Sequence, residues 1–412
     1  MDLEHLKDIK PLKATTCAVC EKPLEQPLLS FPHFPLTEIY TPTKISEKVG
    51  FLDLHFHLCQ HCGHGQLSNH IPPEILYQQS YHFRTSASAT ASKANDVFLE
   101  FIERMLGRRK IKNIIEIGCS DMYLLRALKP KADRLLGVDP ILKGKEQELN
   151  DDKIEVKGTL FENLDLSSMD LRETMIVSSH TLEHLQNPKA IIQNVLHHAD
   201  DSTIFFFQFP GFESLVQDSR FDQIFHQHLH YFSKYSFNYL LQELGGELLA
   251  SAVNQQHWGS LLLAFRKKQK QSSTGEISQE EIHPETDPIK KITKEEVLQS
   301  YKLFQKQMWL TGQHLQSRES EVLVGYGAAL MLPVLGYHLN LDFSEFAFIA
   351  DDDKNKQGLF YVNLPVPIKN PSEITKPQST TVVITAIDNS RQILPKALAL
   401  HPKKIILPLG NV

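Results

Sequence analysis

Cysteine is scarce in this 412-residue chain, five in all, and tryptophan is scarcer, with two. So few thiols exclude a disulfide-stapled secreted scaffold. No apolar run approaches the roughly 20 residues needed to span a bilayer. The opening residues MDLEHLKDIKPLKATT mix both charges and lack an apolar h-region, so a cytoplasmic location is expected. Positive charge is not in excess. Lys and Arg number 43 against 49 Asp and Glu, a formal charge of −6 and a pI near 6.4, which argues against a broad nucleic-acid surface. Internal repeats are absent, and the one composition break is the polar stretch KKQKQSSTGEISQEEIHPETDP (267–288). What remains is a soluble globular composition, 41% hydrophobic and 22% charged, in a chain long enough for two or three domains.

The few cysteines are concentrated. Cys17-x-x-Cys20 and Cys59-x-x-Cys62 share one spacing, and Gly63 and Gly65 follow the second pair. Two thiolates on a tight knuckle can reach one Zn²⁺ at about 2.3 Å, and two knuckles close a tetrahedral site. Disulfides are the weaker alternative in a reducing compartment. His55, His57, His61 and His64 crowd the second pair and offer substitute ligands, although exposed loop histidines are the simpler reading. A closed four-ligand site has no open position, so its role is structural.

Hydrophobic patterning divides the chain into a zinc-binding segment (1–75), an α/β segment (76–268), and a linker, helix and second α/β unit (269–412). VGFLDLHFHLC alternates as a strand does, and 89–109 carries Val97, Phe98, Phe101, Ile102 and Leu106 on one helical face. Short apolar runs alternate with helical stretches from NIIEIG onward, the pattern of a parallel, doubly wound sheet.

The unit NIIEIGCSDMYLLRAL…DRLLGVDP points to a cofactor. Its strand ends at Ile117, where Gly118 lets the chain turn sharply and bring backbone N–H groups near a ligand. About twenty residues on, Asp139 ends the next strand, where an acid accepts the hydroxyls of an adenosine ribose. NAD favours G-x-G-x-x-G, but the turn GCSDMY has one glycine and an acid, Asp121. That carboxylate repels a pyrophosphate and suits an amino group and a sulfonium. S-Adenosylmethionine is therefore expected, with Glu116 strengthening the case, Pro140 flanking Asp139, and Cys119 a packing residue. A ligand-free strand–turn–helix is the alternative.

Further motifs follow in order: YHFRTSAS (81–88), HTLEHLQNP (180–188), FDQIFHQHLHYFS (221–233), HWGSLLLAF (257–265) and GYGAAL…IADDDKNKQG…LPVPI. With the cysteine pairs and the glycine turn, this series resembles the S-adenosylmethionine-dependent sugar C-methyltransferases that carry an N-terminal zinc-binding domain. The resemblance implies a small zinc-binding domain, a central class I methyltransferase-like doubly wound sheet and a C-terminal Rossmann-like domain. It also implies C-methylation of a nucleotide-linked keto-deoxysugar by a monomer or homodimer, with no nucleic-acid or membrane partner. Carried over, His228 is the general base, an imidazole taking a proton beside a ketone. Tyr81, Gln227 and His184 complete the catalytic set, and His180 joins the cofactor pocket. Phe225, His257 and Tyr326 face the acceptor, while His226 and His230 are structural. A metal at these histidines is the poorer reading, since the region is expected to offer no nearby cysteine or acid to complete a ligand set.

The chain departs from the family's pattern. Phe225 replaces a tyrosine, Gln227 a glutamate, Trp258 the first glycine of H-G-G-S, and His180 an asparagine. If the site has only drifted, Phe225→Tyr with Gln227→Glu raises activity on keto-deoxysugars. The alternatives are an O- or N-methyltransferase for a related small molecule and a non-catalytic relative that keeps the fold.

Overall fold

The computed structural model describes residues 6–7, 9–47, 49–72, 89–269, 289–317 and 322–409. In the N-terminal domain, strand β1 (Leu29–Pro35) pairs antiparallel with β2 (Phe51–Leu58), and β2 with β3 (Gly65–Leu67). Helix α1 (Ala89–Leu106) follows and buries Phe98, Phe101, Ile102 and Leu106, the stripe its spacing predicts.

The central domain runs β4 (Asn113–Ile117), α2 (Tyr123–Leu128), β5 (Arg134–Val138), β6 (Ile154–Lys157), β7 (Thr174–Ser179), α3 (Pro188–His198) and β8 (Ile204–Pro210). It continues through β9 (His230–Tyr231), α4 (Lys234–Glu243), β10 (Gly246–Asn254) and β11 (Ser260–Lys267). Seven of these strands form one sheet in the order β10-β11-β8-β7-β4-β5-β6, and only β11 runs against its neighbours. This is the class I methyltransferase-like doubly wound sheet. The order reverses at the β4/β7 pair, so a crevice opens beyond the carboxyl ends of those strands, where open α/β sheets bind ligands.

The C-terminal domain begins with α5 (Lys294–Gln316), whose start is fixed by a reciprocal capping box between Thr293 and Glu296. Then come β12 (Val322–Tyr326), α6 (Leu332–Leu339), β13 (Phe346–Ala350), β14 (Ile368–Lys369), β15 (Thr380–Ile384), α7 (Ser390–Ala399) and β16 (Lys404–Ile406). Its five strands are all parallel, in the order β14-β13-β12-β15-β16. Among the described residues no helix is long and apolar enough to cross a membrane.

The three domains are stitched together by backbone. Strand β9 joins the N-terminal sheet, pairing His230 with Gln66 and Tyr231 with Gly65. A Cβ at Gly65 would meet the Phe56 ring at 2.9 Å and Tyr231 Cβ at 3.0 Å, so only glycine lets the strands close. Phe360–Tyr361 pairs antiparallel with Tyr40–Thr41, tying the C-terminal domain to the N-terminal one. Arg220 then clamps Asp222 through two bonds of 2.8 Å and reaches Asp388 at 2.6 Å, a buried link between the central and C-terminal domains.

Candidate active site

The two knuckles meet. Cys17 Sγ lies 3.5 Å from Cys62 Sγ, Cys20 Sγ lies 3.5 Å from Cys59 Sγ, and all four sulfurs fall within 4.8 Å of one another. Disulfides are excluded at these separations. Four thiolates about 2.3 Å from one ion would stand about 3.8 Å apart, so the cluster fits tetrahedral zinc. Contact with Cys59, and then burial, push Cys17 up to about 12, a strain that a bound dication relieves. None of the nearby histidines takes a cysteine's place. His55 faces Ser30, His57 bonds Glu25 and Ser68, His61 meets Tyr239, and His64 pairs with His230.

At the β4/β7 crevice, Gly118 has φ +74°, and a Cβ there would meet Thr181 Oγ1 at 2.1 Å. Glycine is required for the turn to lie under the loop after β7. Asp139 accepts from Ser120 N at 2.8 Å and Ile141 N at 3.0 Å, holding the glycine turn against the end of β5. Glu116 is buried; burial and then Asp139 push its carboxyl well above the usual range, and Oε2 has no partner among the described residues. Ser120 Oγ is likewise buried and unpaired there. These orphaned acceptors, with Asp121 in the turn, fit a ligand bearing an amino group and a sulfonium. Pro140 is exposed at the rim, and Cys119 is buried against Gly137, as expected of a packing residue.

The histidine signature lies against the turn after β7. Leu229 N donates to Glu183 O at 2.8 Å, and His184 Nδ1 lies 2.7 Å from Gln227 O. A carbonyl only accepts, so His184 is protonated at Nδ1 and turns its Nε2 toward Glu183. His228 is buried beside Phe225 (ring centroids 4.3 Å apart), His184 (5.0 Å) and Trp258 (6.0 Å). Its Nδ1 has no partner among the described residues. Burial, and then the neighbouring His184, His180 and His257, hold its pKa well below the usual range, so the ring is neutral. His180 links the two regions, with Nδ1 3.2 Å from Glu183 Oε1 and Nε2 3.0 Å from His257 Nδ1. Burial lowers its pKa to about 3. His257 stacks on Trp258 with centroids 4.2 Å apart. His226 reaches Leu52 O at 3.4 Å and His230 reaches Leu185 O at 2.9 Å, both buried structural contacts.

The structure differs from the sequence reading at several points. An acid does approach the histidines. Ligand atoms of Glu183, His184 and His228 lie within 4.8 Å of one another. The 3.9 Å between His184 Nε2 and Glu183 Oε1 exceeds the roughly 3.0–3.4 Å between nitrogen and oxygen ligands on one ion. Tyr326 is buried with Val324, Phe348, Ala350 and Ile384, on the opposite side of its sheet from the cluster that contains Phe225. Side chains alternate along a strand, and position 326 falls on that far face. The backbone of the GYGAAL turn does face the N-terminal domain, where Ala328 O accepts from Tyr40 at 3.5 Å. Tyr81 lies outside the described residues, as do 270–288 of the polar stretch. Glu38, which sequence reasoning missed, accepts from Gln227 Nε2 at 2.6 Å. No local motif marks it, because the N-terminal loop carrying it meets the signature only in three dimensions.

Three family models match this chain in series. They are a zinc binding domain over residues 17–77, a methyltransferase domain over 90–251, and a C-methyltransferase C-terminal domain over 255–408. The C-methyltransferase NovU of Streptomyces niveus is 21% identical over 210 residues, covering 50% of this chain. The match spans 49% of that relative, about half its length. Among solved structures, N-methyltransferase NodS of Bradyrhizobium japonicum with S-adenosyl-L-homocysteine is 15% identical, covering 45% of this chain and 92% of its own at a TM-score of 0.33. Magnesium protoporphyrin IX methyltransferase of Synechocystis with bound SAM is 12% identical, with 47% and 88% coverage and a TM-score of 0.32. With a cysteine cluster in front, the seven-stranded sheet in the centre and a third α/β unit behind, the chain carries in series the zinc binding, methyltransferase and C-methyltransferase C-terminal domains that these models describe.

Proposed function

We propose that the protein transfers a methyl group to a carbon beside a ketone in a nucleotide-linked keto-deoxysugar, with His228 as the proton acceptor. The observation that carries this reading is Nδ1 of His228, buried, neutral and without a partner among the described residues. A base of this kind is needed to form an enolate. Glu116, Gly118, Asp121, Asp139, Pro140 and His180 would hold the cofactor. When bound, S-adenosylmethionine supplies the methyl group and an adjacent positive charge. His228 removes the proton, His184 buttresses its ring, and Gln227 holds Glu38 at the acceptor's edge. Phe225, Trp258 and His257 wall the site and exclude water from the enolate. Tyr81 would orient the sugar. Reduced thiols 3.5 Å apart suit a cytoplasmic enzyme.

The test is methyl transfer over a panel of nucleotide-linked keto-deoxysugars, with the product carbon located by NMR. His228→Ala should lower turnover on the order of 10²–10⁴-fold while binding S-adenosylhomocysteine as the parent does. Parental turnover in that variant would refute the base. A product methylated on oxygen or nitrogen would replace this reading with the corresponding transferase.

A further inference from the structure

A neutral His228 faces a difficulty once it accepts a proton. The burial and the three neighbouring histidines that keep it neutral also make its imidazolium short-lived. The proton needs somewhere to go, and one side chain at the site has an open place for it. Glu183 is 1% exposed, lies in the same short turn as His184, and its Oε2 has no hydrogen-bond partner among the described residues. Its other oxygen, Oε1, is steered by His180 Nδ1 at 3.2 Å and lies 3.9 Å from His184 Nε2. Ligand atoms of Glu183, His184 and His228 all fall within 4.8 Å, a gap that a direct contact or one bridging water closes.

We propose that Glu183 is the proton store of this site, receiving the proton that His228 takes from the acceptor. The inference rests on the reading of His228 as base and adds a second residue to it. The C–H bond of the acceptor breaks and its electrons remain as the enolate; the proton passes to His228 Nδ1 and then to Glu183 Oε2. His228 returns to its neutral form, and Glu183 becomes a neutral carboxylic acid. His184, locked with Nδ1–H on Gln227 O, presents its Nε2 toward that acid. The groups facing the store are His180 and His184 from its own turn and His228 from the signature, with His257 from the β10–β11 connection bonded to the far nitrogen of His180. Burial raises the Glu183 carboxyl to about 7, opposed by His184, which suits a group that must gain and lose a proton near neutrality. Glu183 is a positioning and proton-holding residue; it acts through His228 rather than on the acceptor.

The test is infrared difference spectroscopy of the full chain, labelled with carbon-13 in the glutamate side chains, between about pH 5.5 and about pH 8.5. A buried carboxylic acid band should fade near neutral pH in the parent and be absent in Glu183→Gln. In methyl transfer, Glu183→Gln should lower kcat about 10–100-fold with little change in KM and move the acidic limb of the pH profile. Glu183→Asp should recover part of both signals, and it serves if the glutamine variant folds poorly. No titrating acid band in the parent, or a Glu183→Gln enzyme with parental kcat and pH profile, would overturn the proposal. A band that disappears in Glu183→Gln from a parent inactive on every keto sugar would overturn the keto-sugar reading and support the proton store.

Discussion

The side-chain amide of Gln227 donates to the carboxylate of Glu38 at 2.6 Å. An acid from the N-terminal domain therefore stands beside the position where related signatures carry their own. Glu38 adopts φ +64°, an uncommon backbone conformation for a residue with a side chain, and burial raises its carboxyl while the Gln227 bond opposes the shift.

That contact bears on the gain expected from Phe225→Tyr with Gln227→Glu, because Gln227→Glu by itself meets Glu38. The substitution would set two carboxylates in hydrogen-bond contact, and like charges that close cannot both ionise. Gln227→Glu should be less stable than the parent above neutral pH by about 1–3 kcal/mol and less active. The exchange Gln227→Glu with Glu38→Gln keeps one acid and one amide and should recover both properties. Thermal melts at two pH values and a methyl-transfer assay decide it, and a single variant that outperforms the exchange would be the contrary result.

Zinc should copurify at one ion per chain. Because β9 is part of the sheet that the knuckles hold, Cys59→Ser should lower methyl transfer as well as stability, through displacement of the His226–His230 segment. Elemental analysis of reduced protein measures the ion. Full activity in a zinc-free Cys59→Ser protein would separate the two regions.

Asp139→Ala removes the expected ribose contact together with the two backbone bonds that hold the Gly118 turn. A charge-assisted contact contributes about 1.5–3 kcal/mol, so S-adenosylhomocysteine should bind roughly 10–150-fold more weakly. Calorimetry reads this directly, and unchanged affinity would mean the crevice holds something else.

Glu183 also sets a pH dependence of stability. Its folded pKa, about 7, lies above the usual value near 4.5, so the protonated form favours folding. Stability from this group is fully present below about pH 4.5 and is lost as pH rises toward 7. Glu183→Gln removes the buried charge. It should match the parent near pH 5 and exceed it at pH 8 by about 1–3 kcal/mol, even as turnover falls. Denaturant unfolding at both pH values measures the difference; equal curves at pH 8 would show that the carboxylate is not destabilising.

Much of this was legible in the sequence where chemistry is local. The cysteine spacing brought the right four thiols together, since a knuckle is a short-range turn. Gly118 and Asp139 were readable because a strand–turn–helix unit places its glycine and its acid at fixed separations. The alternation of apolar runs gave both doubly wound sheets. Contacts across domains were hidden. Nothing near Glu38 in the chain announces Gln227, 189 positions away. Glu183 lies within HTLEHLQNP, but its burial depends on Leu229 and His180 closing around it, which no local pattern shows. Tyr326 follows from the GYGAAL motif and the family's interdomain cleft, and the alternation of β12 packs its ring with Val324 and Phe348, which the motif does not announce.

The pairing of β9 with β3 constrains how such proteins can be recombined. A chimera cut between the zinc-binding and central segments would graft one parent's β3 onto another's β9, although Gly65 and Tyr231 leave 3.0 Å between Cβ positions. Acceptor preference therefore cannot be exchanged by swapping the leading module alone. The signature strand has to be inherited with the sheet it completes, and the antiparallel pair formed by Tyr40–Thr41 and Phe360–Tyr361 extends the same linkage to the C-terminal third.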